Sequence, residues 1–112
     1  MRGVDVVGAA LSVDVERGGD SVRIALRGEL DLATVGRADE ALSRPEVQSS
    51  DTVVLDLSGV TFIDSSGLRF LLLADRSARE DGWRLGVVPG PPEVQRIFKL
   101  MGVEDRLPFL GV

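Results

Sequence analysis

The run Thr52-Val53-Val54-Leu55-Asp56-Leu57 constrains this chain more than any other feature. It is almost continuously apolar and rich in β-branched side chains, without a polar residue at every second position. Such a run predicts a strand covered on both faces, as in a parallel or mixed sheet. A parallel neighbour needs a crossover, usually a helix. Helical spacing is present on both sides of the run. Val35, Ala38 and Leu42 share one face of a helix predicted over Ala33 to Ser43, and Leu68, Leu71, Leu72 and Asp75 share one side of a helix over Gly67 to Glu80.

The rest of the chain completes this pattern. Leu11, Val13 and Val15 alternate with Ser12, Asp14 and Glu16, and Val22, Ile24 and Leu26 alternate with polar neighbours. With Arg17-Gly18-Gly19-Asp20 between them they predict an antiparallel hairpin, which Gly28-Glu29-Leu30-Asp31 closes. Pro45 limits the first helix. Residues 47–51 read as a polar loop, and residues 58–64 lead out of the apolar strand. Asp81-Gly82 ends the second helix. A strand follows over Arg84 to Val88. Pro89-Gly90-Pro91-Pro92 then opens a third helix with Val94, Ile97, Phe98 and Met101 on one face and Gly102 after its end. Leu107 to Leu110 adds a candidate edge strand. The order β-β-α-β-α-β-α, with or without a last β, predicts an α/β fold with a mixed sheet of four to five strands.

Length and composition narrow the class. A chain of 112 residues is one domain, taken as residues 11–112 after an N-terminal segment 1–10 that is expected to be loose. There is no cysteine, so no disulfide framework or thiolate chemistry. There is no histidine, which excludes a Ser-His-Asp triad and Cys/His zinc coordination. No apolar run approaches the roughly 20 residues of a membrane span. A secretory signal is not evident in the first residues, and a cytoplasmic protein is expected. The net charge of −5 disfavours direct nucleic-acid binding. That charge either keeps the protein in solution or meets a partner with a basic face.

The junction Ile63-Asp64-Ser65-Ser66-Gly67-Leu68 joins the apolar strand to the second helix. A helix start exposes unpaired N–H groups and the positive end of the helix dipole. One of Asp64, Ser65 and Ser66 is expected as the N-cap. Three capping-type residues in a row exceed what one cap needs, and the surplus points to function.

These residues resemble a known family. Asp64-Ser65-Ser66-Gly67-Leu68 after Phe62-Ile63 is similar to the signature of STAS domains, specifically bacterial anti-sigma factor antagonists. Gly28-Glu29-Leu30-Asp31 is similar to the family's second hallmark, and the segment from Pro91 to Gly102 resembles its last helix. The resemblance spans about residues 11–110. It implies a STAS-type sheet and a switch. Ser65 is the implied phosphoacceptor, with Ser66 the adjacent hydroxyl. Asp31, Asp64, Ser65, Ser66, Gly67 and Leu68 form the implied partner surface. The implied partners are an anti-sigma factor that is itself a serine kinase of the GHKL type, and a phosphatase that resets the switch. No cofactor is implied, and a monomer or weak dimer is expected.

Other chemistry has less support. Asp31, Asp56 and Asp64 could gather around a metal, but no EF-hand spacing is present and no metal site is expected. There is no phosphate-binding GxxxxGK[ST] loop. Ser65 lacks a histidine base, and Lys99, the only lysine, lies on another helix, so enzymatic activity is not expected. Trp83 is expected to cover a core edge. Phe70, Leu72 and Leu73 exceed one buried face and serve either the core or an interface. The competing reading is a non-switching STAS scaffold in a signalling or lipid-transport assembly. A nucleotide-binding module has only the anion-friendly helix start in its favour.

Overall fold

Alternation builds the first hairpin. Strands β1 (Leu11–Gly18) and β2 (Ser21–Leu30) pair antiparallel, with Val13 opposite Leu26 and Val15 opposite Ile24 on the inner face. The structure, a computed structural model, describes residues 11–111, and the expectation for residues 1–10 lies outside them. Helix α1 (Val35–Leu42) and a four-residue helix α2 (Pro45–Gln48) lead to β3 (Thr52–Ile63). Helix α3 (Ser65–Asp81), β4 (Arg84–Val88) and α4 (Pro92–Leu100) follow, and a 3-10 turn spans Glu104–Arg106.

Among the described residues the sheet has four strands in the order β1-β2-β3-β4, and β2, β3 and β4 run parallel. Ile24, Leu55 and Val87 lie side by side across it and are fully buried. Right-handed crossovers place α1 and α3 on one face of such a sheet. There Ala38, Leu42, Leu71 and Ala74 close the core over the inner strand positions. Helix α4 packs near the middle of β3, with Val94 and Phe98 buried.

Five expectations change. The second sheet face is not covered by apolar packing: Val54 stays half-buried, and Arg23 reaches across to an ion pair with Asp56. Residues 58–63 continue β3 instead of leaving it, because two register shifts against β2 absorb the break in alternation. Val47 is buried in α2 and not in a loop, since Pro45 both ends the approach from α1 and supplies the first position of α2. Met101 follows the last residue of α4 as its C-cap and is exposed, so it leaves the apolar face. Residues 107–110 form no strand, only a single parallel bridge from Phe109 to Val87. Trp83 is half-buried against the core edge; Phe70 is buried, Leu72 half-buried and Leu73 exposed.

Candidate functional site

The strands β2 and β3 end next to each other, and each hands the chain to a helix. At the end of β3, Asp64 has an extended backbone and acts as the N-cap of α3. One carboxylate oxygen, Oδ1, accepts from the backbone N–H of Ser66 at 2.8 Å and of Gly67 at 3.2 Å. Its carbonyl accepts from Leu68 at 3.0 Å. A single residue therefore satisfies two of the donors that a helix start leaves open, and its carbonyl takes the first intrahelical bond. The second carboxylate oxygen, Oδ2, accepts from the N–H of Leu32 at 3.2 Å, in the loop after β2. Asp64 thus ties the two loops together.

Ser65 is the first residue of α3 and is exposed. Ser66 is half-buried, and Leu68 is buried in the core. Gly67 is buried where the helix presses on the sheet. An added Cβ would stand 2.6 Å from the carbonyl oxygen of Leu30 and 2.7 Å from a side-chain carbon of Ile63. Only glycine lets α3 start this close to β2 and β3. The five consecutive residues expected at the site thus occupy one helix turn and its cap.

Asp31 lies on the neighbouring loop, but its carboxylate serves that loop. It accepts from the N–H groups of Ala33 at 3.0 Å and Thr34 at 3.2 Å. The Thr34 hydroxyl accepts from the N–H of Asp31 at 3.0 Å and donates to the carbonyl of Glu29 at 2.6 Å. Thr34 is a residue that the sequence reading missed. Its signal was there: Asp-x-x-Thr has the spacing of a reciprocal cap. Gly28, in the same hallmark, has φ of 107°, a conformation that favours glycine. Leu32 was also missed. The knotted loop holds it outward at 76 % exposure, and Phe62, two residues before Asp64, is exposed as well.

The three aspartates considered as a metal cluster have separate partners. Asp56 sits in mid-strand, pairs with Arg23 and accepts from the N–H of Ser58 at 2.9 Å. Burial pushes its carboxyl up, but the Ser58 hydrogen bonds and the Arg23 guanidinium outweigh burial and hold it below the ordinary value. Among the described residues no group of ligating side chains could hold a metal ion, and no helix is long and apolar enough to cross a membrane.

Comparison with known proteins gives a consistent answer. Residues 13–111 match the family described as Mlab, STAS domain. The anti-sigma-B factor antagonist of Listeria monocytogenes is 29% identical over 103 residues, covering 91% of this chain and 90% of that protein. The crystal structure of an anti-sigma factor antagonist from Mycobacterium paratuberculosis superposes with a TM-score of 0.77 at 25% identity, over 95% of this chain and 90% of that one. The anti-sigma factor antagonist SpoIIAA, solved in an unphosphorylated and a phosphorylated form, shares the fold with TM-scores of 0.72 and 0.68 at 22% identity. These two comparisons cover 90% of this chain and 88% and 91% of the SpoIIAA chains. The chain belongs to the STAS domain family, and the proteins it resembles there are anti-sigma factor antagonists.

Proposed function

We propose that this chain is an anti-sigma factor antagonist switched at Ser65. In this reading the unphosphorylated form binds an anti-sigma factor that is also a serine kinase, and so frees a sigma factor. Phosphorylation of Ser65 releases the partner, and a phosphatase resets the cycle. The protein is a regulatory binding module of the cytoplasm and not an enzyme. The observation that carries this reading is the exposed Ser65 at the first position of α3, beside a cap that makes no demand on its side chain.

The energetics support release by charge. A phosphate adds about −1.5 to −2 charge at neutral pH. A helix N-terminus favours an anion by about 0.3–1 kcal/mol, but the Asp64 carboxylate already accepts from Ser66 and Gly67. Asp64 also repels the phosphate, with partial screening by solvent. The net effect within the fold is small. Burying an unpaired dianion against a partner costs several kcal/mol, and about 4 kcal/mol is roughly a thousandfold in affinity. The interface therefore carries the effect.

The test is incubation with the kinase-type anti-sigma factor of the same genome and ATP, read by intact mass. One phosphate is expected on the parent chain and none on Ser65→Ala. Ser65→Glu should bind that factor on the order of a thousandfold more weakly. Equal binding by Ser65→Glu and the parent would sink the switch and leave a non-switching scaffold as the better account.

A further inference from the structure

The strand β3 does not end where its first half points. Ser21 faces Thr52 and Ala25 faces Asp56 in one register, which carried on unchanged would set Leu30 opposite Thr61. Leu30 instead faces Ile63. Two shifts make the difference. Between Ala25 and Arg27, β3 sets Leu57 and Ser58 against Leu26 alone, and between Gly28 and Glu29 it inserts Thr61. Each is a bulge of one extra residue, a feature rare between parallel strands and over-represented beside active sites. Together they draw the end of β3 back by two residues, about 7 Å along the strand. Asp64 thereby comes level with the loop after β2. Its N–H donates to the carbonyl of Leu30 at 3.3 Å, and its Oδ2 accepts from the N–H of Leu32 at 3.2 Å.

Both bulges are needed. A one-residue slip turns every side chain to the opposite face. One bulge without the other would bury Phe62, now 51 % exposed, and expose Ile63, now 5 % exposed. The residues around each shift fit it. At the first, Asp56 is buried, and its Oδ1 accepts from the N–H of Ser58 at 2.9 Å. That is an Asx turn to the residue two places on, set inside a strand. Its Oδ2 pairs with Arg23. Pairing resumes at Gly59 opposite Arg27, and an added Cβ on Gly59 would stand 2.7 Å from Cγ of Arg27. Gly28, with its φ of 107°, borders the second shift.

We propose that Asp56 is a positioning residue for Ser65: by holding the first bulge it sets where β3 ends against β2, and with that the place of the Asp64 cap and of the hydroxyl beside it. Asp56 acts from mid-strand, through Ser58 and the pairing that follows, and its own bonds go to Ser58 and Arg23. The bond to Ser58 matters here more than the charge. Arg23 is half-exposed and faces Glu16 across the hairpin, so it keeps solvent and an acidic neighbour when residue 56 is neutral. The inference deepens the Ser65 switch and rests on that reading.

Two substitutions separate the bond from the charge. Asp56→Asn keeps a short side chain whose oxygen accepts from Ser58, and removes the charge. Asp56→Glu keeps the charge toward Arg23, but its longer side chain does not suit a turn to the residue two places on. The full chain is followed by NMR, for cross-strand NOEs and amide exchange, and by initial rates of Ser65 phosphorylation with the purified kinase-type anti-sigma factor of the same genome. Asp56→Asn should match the parent in NOEs, exchange and rate. Asp56→Glu should lose the NOE between Leu30 and Ile63 and exchange the Leu32 N–H about tenfold faster, by local opening. The Val87 N–H, bonded on the far side of the sheet to Pro108, should keep the parent's rate. Phosphorylation of Asp56→Glu should fall on the order of a hundredfold, as for a reacting group displaced by about 1 Å. Asp56→Ala replaces Asp56→Glu, with the same expectations, if the larger side chain prevents folding. An intact Leu30–Ile63 NOE with unchanged Leu32 exchange in that variant overturns the proposal, as does a parental phosphorylation rate where the NOE is lost. Loss in Asp56→Asn with retention in Asp56→Glu overturns it in favour of the ion pair. No phosphorylation of the parent chain overturns the switch itself, and the NOEs and exchange rates then still support or overturn Asp56 as the residue that sets the end of β3.

Discussion

Two parallel strands end side by side, each in an aspartate followed closely by a hydroxyl, and the two hydroxyls have opposite fates. After β2, Thr34 is 1 % exposed and bonded to the backbone on both sides, and Asp31 closes the same loop. After β3, Asp64 alone caps the helix, and Ser65 is left in solvent. The residue types are nearly the same, and what differs is whether the backbone needs the hydroxyl. A hydroxyl that closes a loop is unavailable to a kinase without breaking that loop. One that the cap has made redundant can be modified at little cost to the fold.

Substitutions can break this contrast in descending order of effect. Gly67→Ala should be worst, at about 3 kcal/mol, because its Cβ overlaps the Leu30 carbonyl and Ile63. Urea unfolding measures it, and a loss under about 0.5 kcal/mol would disprove the close approach of α3. Thr34→Val should cost about 2 kcal/mol by stranding the N–H of Asp31 and the carbonyl of Glu29. Thr34→Ser should recover most of that, and a neutral valine would mean that the loop holds without its hydroxyl. Asp64→Ala should cost about 1 kcal/mol as a lost cap. Hydrogen exchange at Ser66, Gly67 and Leu32 should rise together in that variant, and an unaffected Leu32 would break the link between the loops. Ser65→Ala should change stability by less than about 0.5 kcal/mol. A Ser65→Ala loss as large as that of Thr34→Val would erase the distinction between the two hydroxyls.

The sequence carried the sheet and its helices well where one signal acted alone. Residues 52–57 read as a buried strand because nothing in them competes with that reading, and Asp81-Gly82 marked the end of α3. It misled where two signals overlapped. Ser58-Gly59 looked like an exit from the strand, yet β3 runs on through shifted pairing with β2 that only a partner strand reveals. Pro45 looked like a stop and is also a start. Met101 kept the helical period one position past the point where α4 ends. At the site, the cluster from Asp64 to Leu68 was legible as a surplus of capping residues. Which of them caps was not, because the choice depends on strand direction and on where Leu32 lies. Leu32 was missed because its N–H acts across the gap between strands, on Asp64; Thr34 acts within its own loop, and the Asp-x-x-Thr spacing that marks it was passed over.

The strand order repeats the chain order, and this bears on how the molecule is made. Each new strand adds to the outer edge of what is already paired, so no segment must thread between two finished neighbours. Synthesis from the N-terminus can therefore lay the sheet down in sequence, as domains generally fold during translation. The Ser65 junction is complete once β3 has docked on β2 and Asp64 has reached Leu32, before β4 and α4 take their places. A nascent chain would then present the junction proposed as its switch before its last quarter is folded, so that surface is among the earliest parts of the molecule to take shape.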